Sequence, residues 1–96
     1  MNKLEAQYAQ YLDLQRYAGE IFWWGYERVR LKVGNGAWFK SDFCVLREEG
    51  GTIELHETKG FRREAAIVRI KACADEYPFI FYLVIKRGGE WVKTRV

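Results

Sequence analysis

Residues 52–60, TIELHETKG, alternate with the period of a β-strand, and Gly60 stops the run. Ile53, Leu55, Glu57 and Lys59 point to one side; Thr52, Glu54, His56 and Thr58 point to the other. The first face is unusual. Two apolar side chains are followed by a carboxylate and an ammonium, where a sheet should pack on a helix. A charge there is costly unless it is paired or binds a metal. Glu57 and Lys59, at i and i+2, either satisfy each other or line the edge of a site where the core opens.

The segment upstream carries a matching anomaly. Residues 37–47, AWFKSDFCVLR, read as a strand, joined to 52–59 by a turn at Glu49-Gly50-Gly51. Trp38, Lys40, Asp42, Cys44 and Leu46 form one face of it; Phe39, Ser41, Phe43 and Val45 form the other. Aspartate is depleted in strands, yet Asp42 sits among aromatic and apolar neighbours. A hairpin between the two strands can bring Asp42 beside Glu57. Adjacent carboxylates repel and hold their protons unless a cation lies between them. A hard divalent ion with oxygen ligands, Mg²⁺ or Mn²⁺, answers that need. Lys59 would then orient an attacking water or stabilise charge on a phosphate. The alternative is a charge ladder across two strands.

The rest of the chain supplies a frame for this hairpin. Residues 3–18 read as an amphipathic helix, with Leu4, Tyr8 and Tyr11 on one face and Leu12 and Leu14 widening it. Asn2 and Glu5 have capping-box spacing, and Gly19 ends the helix. Residues 21–33 read as a strand, in which Val29, Leu31 and Val33 alternate with Arg28, Arg30 and Lys32, and Gly25 marks a bend. Gly34-Asn35-Gly36 is a hairpin turn. Residues 62–77 form a second helix, with Ala66, Ile67, Ile70, Cys73, Ala74 and Tyr77 on its apolar face and Pro78 after it. Residues 79–86, FIFYLVIK, suit a central strand, and Gly88-Gly89 turns into a last strand. The order α-β-β-β-α-β-β is an α+β arrangement with a mixed central sheet. A parallel pairing of 79–86 with an earlier strand requires a right-handed crossover.

Composition narrows the function. The chain has 96 residues, 49% hydrophobic and 30% charged, enough for one folded core. No apolar run reaches the roughly 20 residues of a membrane helix, and the first residues have no apolar leader. Cys44 and Cys73 read as buried, reduced thiols. The lack of a C-x-x-C and the single histidine argue against a structural zinc site. His56 lies opposite Glu57 and reads as a packed or surface residue. The formal charge of +3 arises in the second half of the chain. Lys59, Arg62, Arg63, Arg69 and Lys71 cluster there against Glu64, either as a phosphate-attracting surface or as a solvated helix edge.

Asp42 followed by Glu57-Thr58-Lys59 resembles the D…(D/E)-x-K signature of the PD-(D/E)XK nuclease superfamily, placed in the αβββαβ order of that restriction-endonuclease-like core. The longer run IELHETKGFRREAAIVRIKACADEYPFIFYLV is similar to a family of small phage and prophage proteins. Their motif reads HE-x-KG, followed by a basic helix and an aromatic strand. The KLE, AGEI-x-x-W and KSDF segments match the same pattern, so the resemblance spans nearly the whole chain. Lys40-Ser41 stand where that family has a small polar residue and proline. The resemblance implies one nuclease-like domain over residues 1–96 that hydrolyses DNA with Mg²⁺ or Mn²⁺. Asp42, Glu57, the Thr58 carbonyl and Glu5 would hold the metal, and Lys59 would position the nucleophile. Lys40, Arg62, Arg63, Arg69 and Lys71 would contact the DNA backbone. Cleavage would be structure-selective or nonspecific; by analogy with small phage junction resolvases, a homodimer in the host cytoplasm would act on branched DNA such as a Holliday junction, the alternative being a nucleic-acid-binding module without catalysis.

Overall fold

A computed structural model describes residues 1–60 and 64–96. Helix α1 spans Lys3–Tyr17. Its start is a complete capping box: the Asn2 side chain accepts the Glu5 N–H at 2.8 Å, and Glu5 Oε1 accepts the Asn2 N–H at 2.8 Å. Tyr8 and Leu12 form its buried stripe. Leu14, expected on that face, is 68% exposed, because it falls half a turn away from Leu12.

The strands are β1 Trp23–Tyr26, β2 Arg30–Val33, β3 Ala37–Lys40, β4 Phe43–Leu46 and β5 Glu54–Lys59. Helix α2, Glu64–Glu76, leads to β6 Ile80–Arg87 and β7 Glu90–Arg95. Five strands form one sheet in the order β1-β4-β5-β6-β7, and β2 and β3 form a separate two-stranded sheet. The β5–β6 pair is parallel and the other pairs are antiparallel, so the main sheet is mixed. The protein is α+β, as the order of elements implied.

Each helix covers one face of the main sheet. Tyr8 and Leu12 of α1 pack with Ile21, Phe43, Val45 and Val84. Ile67, Ile70 and Cys73 of α2 pack with Cys44, Leu55, Phe81 and Leu83. Strand β5 is thus buried on both sides, which is why its polar residues must find partners. Both cysteines are buried and free.

Two expected strands are each broken in two. Residues 21–33 divide into β1 and β2 around Glu27, which takes a φ of 50°. Residues 37–47 divide into β3 and β4 at Ser41-Asp42. Packing explains the break. In one continuous strand Phe39 and Phe43 would share a face, but Phe39 packs with α2 and Phe43 with α1. The chain turns over between them, held where the Asp42 carbonyl accepts the Glu27 N–H at 2.9 Å and the Val29 carbonyl accepts the Ser41 N–H at 3.2 Å. The bend expected at Gly25 lies two residues later. The β2–β3 hairpin folds back onto α2, where Tyr77 donates its hydroxyl to the Lys32 carbonyl at 2.6 Å. Among the described residues no helix is long and apolar enough to cross a membrane.

Candidate active site

Asp42 stands just before β4, and Glu57, Thr58 and Lys59 end β5. The antiparallel register pairs Phe43 with His56, so Asp42 and Glu57 meet where the two strands part. Asp42 donates its N–H to Glu57 Oε1 at 3.3 Å. Asp42 Oδ2 accepts two hydrogen bonds from Thr58, from the N–H at 2.9 Å and from the hydroxyl at 3.0 Å. Lys59 Nζ lies 3.4 Å from Glu57 Oε2. Asp42, Glu57, Thr58 and Lys59 are therefore brought into one cluster.

The electrostatics follow from burial. Glu57 is 8% exposed. Burial pushes its carboxyl up to about 7; the Asp42 charge adds to this and Lys59 opposes it. Burial also raises Asp42 above the usual carboxylate range. The Thr58 hydrogen bonds pull it down, and the charge of Glu5 pushes it up again. Glu5 is thus an electrostatic neighbour of Asp42 while serving in the cap. Its Oε1 also accepts the Tyr26 hydroxyl at 3.1 Å.

Among the described residues, no three His, Cys, Asp or Glu side chains form a metal-binding group. The donor chemistry nonetheless suits a small hard cation. Mg²⁺ commonly uses one or two carboxylates and completes its shell with water. Asp42 and Glu57 supply that pair in a buried setting where burial raises the proton affinity of both and the Asp42 charge raises that of Glu57 further. The Thr58 carbonyl is the neighbouring backbone oxygen.

The expected phosphate-contacting residues are more scattered. Arg62 and Arg63 lie outside the described residues. Arg69 and Lys71 are exposed on α2. Lys71 lines a pocket of about 290 Å³ with Ile67, Leu83 and Ile85. Leu83 and Ile85 pair in register with Glu57 and Lys59, so this pocket lies one strand from the carboxylates on the same face. Lys40 is exposed and ion-paired to Glu27 at 3.0 Å.

Two features were not singled out from sequence. One is the Thr58 side chain, whose hydroxyl fixes Asp42. The other lies on the opposite face of β5. There the buried His56 takes the Tyr8 hydroxyl on Nδ1 at 2.6 Å and places Nε2 2.9 Å from Glu54 Oε1. Burial alone would raise Glu54, but hydrogen bonds from His56 and Arg47 override it and hold the carboxyl below its ordinary value. An ionised Glu54 accepts a proton-bearing Nε2, and Nδ1 then accepts from Tyr8. The histidine belongs to the α1 core. The only sequence signal for this network was a run of polar residues on the same face of β5.

No family model, curated protein or solved structure matches this chain.

Proposed function

We propose that the chain is a divalent-metal-dependent nuclease with a restriction-endonuclease-like core of the PD-(D/E)XK type. The observation that carries this reading is the meeting of Asp42 and Glu57 in a buried position, with Lys59 3.4 Å from Glu57. Two buried carboxylates held together repel, and Lys59 offsets the charge only in part, since the Glu57 carboxyl is still raised. A site of this kind is expected where function demands it. Helices on both faces, a mixed sheet and a carboxylate pair between β4 and β5 fit the motif order D…E-T-K.

Asp42, Glu57 and the Thr58 carbonyl would hold Mg²⁺ or Mn²⁺. The metal, when bound, supplies a water of lowered pKa and a counter-charge for phosphate. Thr58 keeps Asp42 in one rotamer through two donors. Lys59 keeps a positive charge beside Glu57, where it can orient the attacking water. Glu5 adds negative charge from the start of α1 and favours retention of a cation. Arg62, Arg63, Arg69, Lys71 and Lys40 are the candidate contacts to backbone phosphates, which position a nucleic acid without reading its sequence. The substrate is DNA, branched or of arbitrary sequence, and a homodimer would suit a two-fold junction.

Purified protein incubated with Mg²⁺ or Mn²⁺ should cut at least one of linear duplex, single-stranded, flapped or four-way DNA. Asp42→Asn, Glu57→Gln and Lys59→Ala should each abolish cutting while remaining folded. Failure of the wild type on all four substrates with both metals overturns the proposal. Salt-dependent binding without cutting would mark a nucleic-acid-binding module instead.

A further inference from the structure

The outer face of the β2–β3 hairpin carries chemistry that the carboxylate cluster does not use. Arg30 lies opposite Lys40 in register, and Lys32 lies opposite Trp38. Directly opposed residues share a face, so these four side chains project together. Leu31 and Phe39 turn the other way and are buried against α2. All four outer residues are exposed, Trp38 by 52%. The Arg30 guanidinium sits 4.6 Å from the Trp38 ring centroid. Among the described residues, the ion pair on this face is that of Glu27 with Lys40. Among the described residues, no carboxylate lies within ion-pair distance of Arg30 or Lys32.

An exposed tryptophan beside Arg30 and Lys32 has no role in the core, because the core side of the hairpin is already filled. A positive surface with an aromatic platform is how proteins hold single-stranded nucleic acid: cations track the phosphates and a base stacks on the ring. A closed duplex keeps its bases stacked on each other and has none to offer. The location is equally specific. Lys40 is followed by Ser41 and then Asp42, and two residues span at most roughly 7 Å. Packing of Leu31 and Phe39, and the Tyr77 bond to the Lys32 carbonyl, fix the platform to α2.

We propose that this face binds an unpaired stretch of the nucleic-acid strand next to the scission site, with a base stacked on Trp38 and phosphates on Arg30, Lys32 and Lys40. The placement of scission rests on the nuclease reading above; the platform names the substrate class as strands with a single-stranded segment.

The test is fluorescence anisotropy in EDTA with a labelled single-stranded oligonucleotide and the same sequence in a blunt duplex. Wild type should prefer the single strand. Trp38→Ala should lose about ten-fold of that affinity, the scale of one base–aromatic stack, and Trp38→Phe should recover most of it. Arg30→Ala and Lys32→Ala should each flatten the salt dependence of binding, by close to the ~0.7 expected per phosphate contact on single strands. Arg16→Ala removes the same charge from α1 and should leave affinity unchanged. An unaltered preference in a folded Trp38→Ala protein overturns the platform, as does equal weakening by Arg16→Ala. The two readings separate cleanly. A protein that binds through Trp38 but never cuts overturns only the nuclease. A protein whose cutting needs Asp42 but whose strand preference ignores Trp38 overturns only the platform.

Discussion

Asp42 and Thr58 are joined twice: Oδ2 of the carboxylate accepts both the amide and the hydroxyl of the threonine, at 2.9 and 3.0 Å. The amide hydrogen bond survives any side-chain substitution except proline, whereas the hydroxyl bond does not. Thr58→Val keeps the β-branched shape and removes one donor from a half-buried carboxylate. Its carboxyl should hold its proton more tightly, since a hydrogen bond to the charged form is gone. Loss of such a supporting contact typically weakens metal affinity or activity about 10–100-fold. Cleavage rate measured against Mg²⁺ concentration should show a higher metal requirement, while urea unfolding should show a loss of only about 1 kcal/mol.

Glu57 predicts an inverse pH dependence of stability. Its carboxyl is raised from 4.5 to about 7 in the folded chain. Between those values the folded protein binds more protons than the unfolded one, so stability falls as pH rises through the window. In EDTA, urea unfolding should show this loss, on the order of 1–3 kcal/mol given about 1.4 kcal/mol per pKa unit. Glu57→Gln should remove it. His56 acts with the opposite sign: burial lowers its pKa, so stability is lost as pH falls below about 6.5. A Glu57→Gln protein that still loses stability as pH rises from 5 to 7 would contradict this assignment.

Local periodicity explains what the sequence made legible. The alternation of β5, the Asn2–Glu5 cap, the apolar stripe of α2 and the pairing of Asp42 with Glu57 all depend on near neighbours or one hairpin. The break at Ser41-Asp42 was hidden, because it is set by which helix Phe39 and Phe43 each meet. Thr58 was hidden for a related reason. Period two assigns it to the α1 face, but Asp42 lies past the end of β4 and reaches its hydroxyl from there. Arg30 and Lys32 were visible only as the polar half of a strand; their union with Trp38 needed the register of β2 and β3.

Tyr8→Phe tests the buried network on the α1 face. The ring would keep its contacts with Phe43 and Trp91, at centroid distances of 5.2 and 4.8 Å. Only the hydroxyl is lost, yet His56 is 1% exposed and its Nδ1 would have no donor. Leaving a buried acceptor unsatisfied costs about 1–3 kcal/mol. Urea denaturation should register that loss. Cleavage should be little changed, because Tyr8 and Glu57 lie on opposite faces of β5.

Gly25 distinguishes space from conformation as the reason for a glycine. It is not among the glycines with positive φ, so alanine could adopt its backbone geometry. A Cβ there would lie 2.7 Å from Arg28 Cγ and 2.8 Å from the Trp23 ring. The Arg28 stem is flexible and can withdraw. The indole is a rigid plate with only two rotatable bonds, so it yields less easily. Gly25→Ala should therefore cost about 1–3 kcal/mol, the range for overpacking a tight contact. Adding Trp23→Ala removes the obstructing ring. Part of the loss should then return, giving a non-additive double-mutant cycle in thermal or urea unfolding. Strict additivity would show that the glycine is needed for its backbone and not for the room it leaves.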